Sequence, residues 1–261
     1  MLRRFLALVF LLVASVAWAD DVGHEIARQH AQRAGAKYRE LHSLYAEGRT
    51  LIAGEVIDVR MWAERPNRLR VESSFGARKV TQVYDGRHEP VIYHSQVENG
   101  RPMRMTAGER KDFIANADFD GPLVDFALKG YSVDYAGEDR INGRAARKLL
   151  VMNSEGDVSF VWLDAESAEM VKRSVFRVVG ERRATVDTFF GDFRDVKGSQ
   201  QPHRIETKVG EKTLYLMLLS KMEGDSAQVT ADLFKVPDDW PLLSVEFKGG
   251  AAPASASASG G

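Results

Sequence analysis

The stretch Ile57-Asp58-Val59-Arg60-Met61-Trp62-Ala63, then Arg65-Pro66-Asn67, then Arg68-Leu69-Arg70-Val71-Glu72-Ser73-Ser74-Phe75 decides what kind of fold this chain adopts. In the first run Ile57, Val59, Met61 and Ala63 alternate with Asp58, Arg60 and Trp62; in the second Leu69, Val71, Ser73 and Phe75 alternate with Arg68, Arg70, Glu72 and Ser74. Successive side chains of a strand point to opposite faces, so a period of two reads as a strand with one buried face. The Arg-Pro-Asn step between the runs is turn chemistry, and the pair becomes an antiparallel hairpin.

The same grammar continues outward. Asp85-Gly86, Asn99-Gly100, Asn142-Gly143 and Lys197-Gly198 sit between apolar runs as hairpin connections do. Further strands read at Tyr131–Tyr135, Arg147–Met152, Val158–Leu163, Met170–Val179, Ala184–Phe193, His203–Val209 and Thr213–Leu219. About ten consecutive strands with tight turns make an antiparallel meander, curled because a flat sheet of that width is unfavourable.

Helical signals bracket and interrupt the meander. Val22, Ile26, His30, Ala34, Tyr38 and Leu41 recur at spacings of three and four, predicting an amphipathic helix from Val22 to about Leu44. Thr106-Ala107-Gly108-Glu109 is a capping box that opens a helix to about Ala117. A second short helix is predicted at Pro122–Leu128, with proline in its first turn and Gly130 just past its end.

The two ends read differently. Arg3-Arg4, the apolar run Phe5–Val16 and Ala17-Trp18-Ala19 form a secretory leader with an A-x-A cleavage site, and Asp20-Asp21 begins a polar mature chain. Residues 1–19 are therefore expected to be removed, leaving residues 20–248 as one domain. The mature form should not span a membrane and, in a Gram-negative cell, should reside in the periplasm. Gly249–Gly261 is low-complexity and is expected to be disordered.

Composition narrows function. The 261 residues carry 36 Lys plus Arg against 37 Asp plus Glu, a net charge of −1 that offers nucleic acid no attraction. The absence of cysteine excludes disulfides, thiol catalysis, thiolate-held zinc and a lipobox. His24-Glu25 lacks the second histidine at the helical spacing of a metalloprotease; His88 and His94 flank a strand without a third ligand; Asp118 and Asp120 read as cap or surface residues. No nucleophile elbow, P-loop or dinucleotide fingerprint is present. No catalytic residue, metal ligand or cofactor is assigned.

What stands out is strands with little polar relief. Val158, Phe160 and Trp162 alternate with Ser159, Val161 and Leu163, and residues 214–219 read Leu-Tyr-Leu-Met-Leu-Leu. An antiparallel sheet in water normally keeps one polar face, so something covers the second face, either helices or a ligand. If helices fill it, these residues are plain core. If a cavity remains, Leu69, Val71, Phe75, Phe113, Phe126, Phe160, Trp162, Phe176, Leu216 and Leu218, with Phe189 and Met217, are candidates to line it for acyl chains. A basic cluster of Arg60, Arg65, Arg68, Arg70, Arg78 and Lys79 reads as solvated charge or as a cavity rim, Arg68 and Arg70 being the rim candidates for a lipid phosphate or a partner's carboxylates.

At this point the chain resembles the periplasmic outer-membrane lipoprotein carrier superfamily (LolA/LolB-like). The likeness spans roughly Asp21 to Pro237. It rests on the N-terminal helix, Arg65–Val71, Val83-Tyr84-Asp85-Gly86, Gly130-Tyr131-Ser132-Val133, and Gly137–Arg144 before an apolar strand. Val161-Trp162-Leu163-Asp164, Met170-Val171-Lys172-Arg173, Phe190–Val196 with Gly198 and Pro202, and Phe234-Lys235-Val236-Pro237 complete it. These motifs are turns and strand ends, so they speak for fold more than for function. The resemblance implies an unclosed antiparallel barrel, a half-barrel, whose concave face is covered by the N-terminal helix and the inserted helical segment. It further implies a non-enzymatic carrier of lipoprotein acyl chains or another lipid. A regulatory branch of the superfamily supplies the alternative, a periplasmic sensor or interaction module acting on an inner- or outer-membrane protein. The absent lipobox excludes the membrane-anchored acceptor branch.

Overall fold

The computed structural model describes residues 22–33, 39–97, 100–179 and 182–236. The expected leader, the low-complexity tail and Asn99 lie outside them. Helix α1 spans residues 22–33. Six strands follow: β1 (Ser43–Ile52), β2 (Glu55–Glu64), β3 (Arg68–Phe75), β4 (Arg78–Tyr84), β5 (Val91–His94) and β6 (Met103–Arg104). Helix α2 (Ala107–Ala117) then interrupts the meander. It resumes as β7 (Ser132–Ile141), β8 (Arg144–Met152), β9 (Val158–Asp164), β10 (Met170–Val179), β11 (Arg182–Val196), β12 (Ser199–Val209) and β13 (Lys212–Gly224), and a 3-10 turn, Ala231–Phe234, ends the described chain.

Among the described residues the thirteen strands hydrogen-bond in the order β6-β5-β4-β3-β2-β1-β13-β12-β11-β10-β9-β8-β7. Every neighbouring pair in this order is consecutive in sequence except β1 with β13, while β6 and β7, consecutive in sequence, stand at opposite ends of the order, so the sheet is not closed. This is the mainly β, unclosed antiparallel architecture with helices that the sequence predicts. Two-residue loops make the tightest hairpins: Ala53-Gly54, Asn142-Gly143 and Lys197-Gly198 all have positive φ at both positions. That is the turn geometry whose twist matches a right-handed strand pair.

Several elements differ from the sequence reading, and most strands run longer than expected, such as Thr213–Leu219, which lies within Lys212–Gly224. Pro122–Leu128 is a run of turns, not a helix. Asp125 has a positive φ of 51°, and its carbonyl accepts from both the Leu128 and Lys129 N–H groups, so no helical ladder can start there. Strand character begins at Ser43, before the expected end of the first helix at Leu44. The strand expected at Tyr131–Tyr135 continues to Ile141 through a bulge between Tyr135 and Gly137. The capping box forms as expected: the Glu109 N–H donates to Thr106 Oγ1 and the Thr106 N–H to the Glu109 carboxylate.

The described residues fall into two compact units, and the boundary lies within β10. The first takes α1 and Pro122–Phe176. Its core is Ile26, Ala27, Leu123, Val133, Leu149, Val151, Val161 and Leu163. α1 approaches β7 so closely at Gly23 that a Cβ there would lie 2.8 Å from the Val133 oxygen, so glycine is what lets the helix dock. The second unit holds β1–β6, α2, β11–β13 and the 3-10 turn. Its main core joins Ala46, Val59, Leu69, Val71, Ile92, Met103, Met105, Met217 and Leu219 to Phe113 and Ala117 of α2.

Candidate functional site

In the second unit, strand register assigns each side chain to a face. Ala46 stands opposite Met61, which stands opposite Val71; Thr50 stands opposite Ile57 and Met217. These residues share the face roofed by α2. Five methionines (Met61, Met103, Met105, Met217 and Met222) belong to or pack against this core. Unbranched thioether side chains give an apolar surface that can be reshaped at little cost. The roof is thin, because α2 buries only Phe113 and Ala117.

The face changes character along the strands. Beyond the methionines come Thr50, then Tyr215, Thr207 and Thr188. Thr188 and Thr207 share a hydrogen bond of 3.1 Å. Burial pushes the Tyr215 phenol above its usual value, partly offset by its hydrogen bond with Thr207. Asp112 of α2 pairs with Arg177 and bears electrostatically on Tyr215. An apolar floor ending in hydroxyls and one ion pair can hold a molecule with a long apolar part and a polar end.

The predicted lining residues divide between faces. Leu69 and Val71 are buried in one core with Phe113 of α2, and Phe75 lies on the same face of the sheet near its edge, 37% exposed. Leu216 and Leu218 are on the opposite face of β13, where Leu218 is half exposed with Leu51 and Val56. In the first unit Phe126 packs on the α1 side. Phe160, Trp162 and Phe176 occupy the other side of the sheet. There the Phe160 ring lies 6.0 Å from Trp162 and 6.2 Å from Phe176. Lys148 Nζ sits 4.0 Å from the Phe160 centroid, Lys172 Nζ sits 4.6 Å from that of Trp162, and the Trp162 indole N–H donates to Asp139 at 3.0 Å. In the second unit Phe189 shares the face of Leu216 and Leu218, since it stands opposite Glu206, which stands opposite Leu216. Within the second unit, Leu216 and Leu218 therefore lie on the other face of the sheet from Leu69, Val71 and Phe75.

The basic cluster is engaged within the protein. Arg60, Arg70 and Lys79 converge on Glu72, a carboxylate only 6% exposed, at 3.0, 2.6 and 2.9 Å. Burial alone would raise the Glu72 pKa, but the bonds from Arg70 and Lys79 outweigh it and hold it below the usual range. Arg70 also donates to the Leu233 carbonyl, tying down the 3-10 turn whose Phe234 packs on Tyr45 and Trp62. Arg68 pairs with Glu64, Arg65 with Asp120, and Arg78 lies over the Phe75 ring.

Two open cavities lie elsewhere. One of about 840 Å³ in the second unit is lined by Glu47, Arg49, Asp58, Arg60, Glu72 and His203 among others, and no α2 residue lines it. One of about 580 Å³ in the first unit lies between α1 and the strands, beside Glu25, Gln29, Tyr135 and Arg147. The histidines do not gather. His30 Nδ1 meets the Ala168 carbonyl at 2.7 Å, and burial lowers its pKa. His88 Nδ1 meets Asp85 at 2.6 Å in an exposed turn that Asp85 also caps through the Arg87 and His88 N–H groups. His203 Nδ1 meets the Gln201 carbonyl. Among the described residues no group of three or more His, Asp or Glu is placed to hold a metal ion, and no helix is long and apolar enough to cross a membrane.

Sequence reasoning missed Thr50, Asp112, Arg177, Thr188, Thr207 and Tyr215. Hydroxyls within a strand carry no distinguishing signal, and the Asp112–Arg177 pair joins residues far apart in the chain. Met217, already a lining candidate, and the alternation Met103-Arg104-Met105 are the visible hints of the methionine floor.

No protein-family model matches the chain, and no curated protein matches it. Solved structures do. A DUF1329 family protein from Desulfovibrio piger is 11% identical with a TM-score of 0.58, over 83% of this chain and 97% of that one. A domain from Vibrio parahaemolyticus, described as that of an outer membrane lipoprotein-sorting protein, is 11% identical with a TM-score of 0.58, over 82% and 97%. A LolA superfamily protein from Nitrosomonas europaea is 14% identical with a TM-score of 0.55, over 82% and 97%. At such identities the likeness speaks for fold alone, and it agrees with the strand order: this chain has a LolA-like fold.

Proposed function

We propose that the chain is a non-enzymatic periplasmic carrier that holds the acyl chains of a lipid or lipoprotein on the α2-roofed face of its second unit. The observation that carries this reading is the pairing of a methionine-rich apolar face with a roof that buries only two side chains. Displacing Phe113 and Ala117 exposes apolar surface that an acyl chain would cover again. Burial yields about 0.8 kcal/mol per methylene, so a 16-carbon chain offers on the order of 12 kcal/mol before ordering and displacement costs are met. A roof that must be displaced lowers the net affinity, which suits a carrier that has to hand its cargo on. The fold shared with a lipoprotein-sorting domain supports the same reading.

The test is native mass spectrometry, followed by solvent extraction, on mature protein purified without detergent. A stoichiometric acyl-bearing species, lost when Met61 or Val71 is changed to Glu in a chain that still folds, is the expected result. A clean apo mass together with no binding of an apolar fluorescent probe overturns it.

A second reading, an interaction module for a membrane protein's periplasmic segment, is favoured by one feature. The face of the first unit away from α1 presents Phe176 at 49%, Met152 at 43% and Val158 at 37% exposure beside the Phe160–Trp162 pair. A partner that co-purifies without lipid, and is lost on Phe176→Glu, would put this reading first.

A further inference from the structure

The hydroxyl of Thr50 is buried without a partner. Thr50 is 1% exposed, and its Oγ1 has no hydrogen-bond partner in the structure. Its cross-strand neighbours are Ile57 on β2 and Met217 on β13, a branched alkyl and a thioether. On its own strand the same face continues with Gly48 and Ala46. None of these side chains offers a good acceptor. An unsatisfied buried hydroxyl is costly, and valine would fill the same volume without that cost. The other hydroxyls at this end of the face do not share the problem, because Thr188, Thr207 and Tyr215 bond among themselves.

The position of Thr50 is as informative as its lack of a partner. It stands where the face passes from the methionine-rich floor, Met61 and Met217, to the hydroxyl-bearing end. A molecule lying along this face with its tail under α2 would place the first polar atom of its chain near this boundary. Apolar neighbours on both sides require that atom to be uncharged. A carboxylate brought there would be stripped of water, and the guanidinium of Arg177 at this end is already engaged by Asp112. A neutral acyl carbonyl, ester or amide, accepts one hydrogen bond and needs no counter-charge.

We propose that Thr50 donates a hydrogen bond to the neutral acyl carbonyl of the bound lipid, so that the site selects acyl esters or amides over bare hydrocarbon chains of equal length. This rests on the carrier reading above and adds to it the class of the group next to the chain.

The experiment measures displacement of a fluorescent apolar probe, N-phenyl-1-naphthylamine, from the full mature chain by methyl palmitate and by heptadecane, each delivered from cyclodextrin. It compares wild type with Thr50→Val, which keeps shape and removes the hydroxyl, and Thr50→Ser, which restores it. Wild type should prefer the ester, and T50V should lose roughly 3–10-fold in ester affinity while heptadecane binding stays unchanged. T50S should recover the preference, and apo T50V should melt no lower than wild type. Equal binding of ester and hydrocarbon by wild type, or equal ester affinity in wild type and T50V, overturns the assignment while leaving the carrier reading in place. If wild type binds neither the probe nor either competitor, the carrier reading fails and this inference falls with it. Should T50V not fold, the wild-type ester-to-hydrocarbon ratio decides alone.

Discussion

Gly48 on β1 and Leu218 on β13 meet backbone to backbone: a Cβ built on Gly48 would collide with the Leu218 carbonyl oxygen and lie 2.7 Å from Leu219 Cα. The contact sits where the β1–β13 register shifts, between Glu47 and Gly48. This pairing joins an early strand to the last one, so the bulge and the absent side chain together set the one non-sequential neighbour relationship in the sheet.

Gly48→Ala should therefore destabilise the protein by about 1–3 kcal/mol, because no flexible side-chain end is present to move aside. Urea denaturation should show a lower midpoint with an unchanged slope. A midpoint equal to wild type would mean that the bulge relaxes freely.

Glu72→Gln should cost about 2–3 kcal/mol. Removing the charge leaves Arg60, Arg70 and Lys79 facing one another, and the penalty is moderated because Arg60 and Lys79 stay half in water. The folded-state pKa of Glu72 is held below its unfolded value. Its contribution is thus fully present above the usual carboxylate pKa of about 4 and is lost as pH falls through the lower folded value. Melting temperatures from pH 6 to pH 3 should drop more steeply for wild type than for E72Q.

His30 titrates with the same sign in a higher window. Burial lowers its folded pKa, so the neutral ring is what the fold accommodates. The stabilisation is complete above the unfolded value of about 6.5 and declines as pH falls toward the folded value. Wild type should lose stability on going from pH 7 to pH 5.5, and His30→Gln should flatten that slope. A slope unaffected by the substitution would show that the loss arises elsewhere.

Asp112→Ala should loosen the roof without unfolding the unit. The pair with Arg177 is partly exposed, so its loss should cost no more than about 1 kcal/mol. Uptake of an apolar dye should nonetheless quicken, because α2 keeps only Phe113 and Ala117 buried. A stopped-flow rate equal to wild type would show that α2 does not control entry.

The alternation in residues 57–63 and 68–75 determined by itself that these segments are strands, and the turn residues between apolar runs determined that they pair antiparallel and in sequence. The capping box at Thr106 likewise set the start of α2, since its partners lie within three residues. These signals are local, because a period of two and a left-handed turn are properties of a few adjacent residues. Which face each strand buries was not local. Phe160, Val161, Trp162 and Leu163 are apolar in both phases of the alternation, so the pattern is the same whichever side a helix covers. Only the packing of α1 on Val161 and Leu163 sent Phe160 and Trp162 to the other side. The Pro122–Leu128 helix failed for a related reason, because a left-handed Asp125 in the folded chain overrides helix punctuation. The convergence of Arg60, Arg70 and Lys79 on Glu72, and the isolation of the Thr50 hydroxyl between Ile57 and Met217, arise from strand register. Register brings distant residues to within a few ångströms, and that proximity decides whether a charge is neutralised or a hydroxyl is left without a partner.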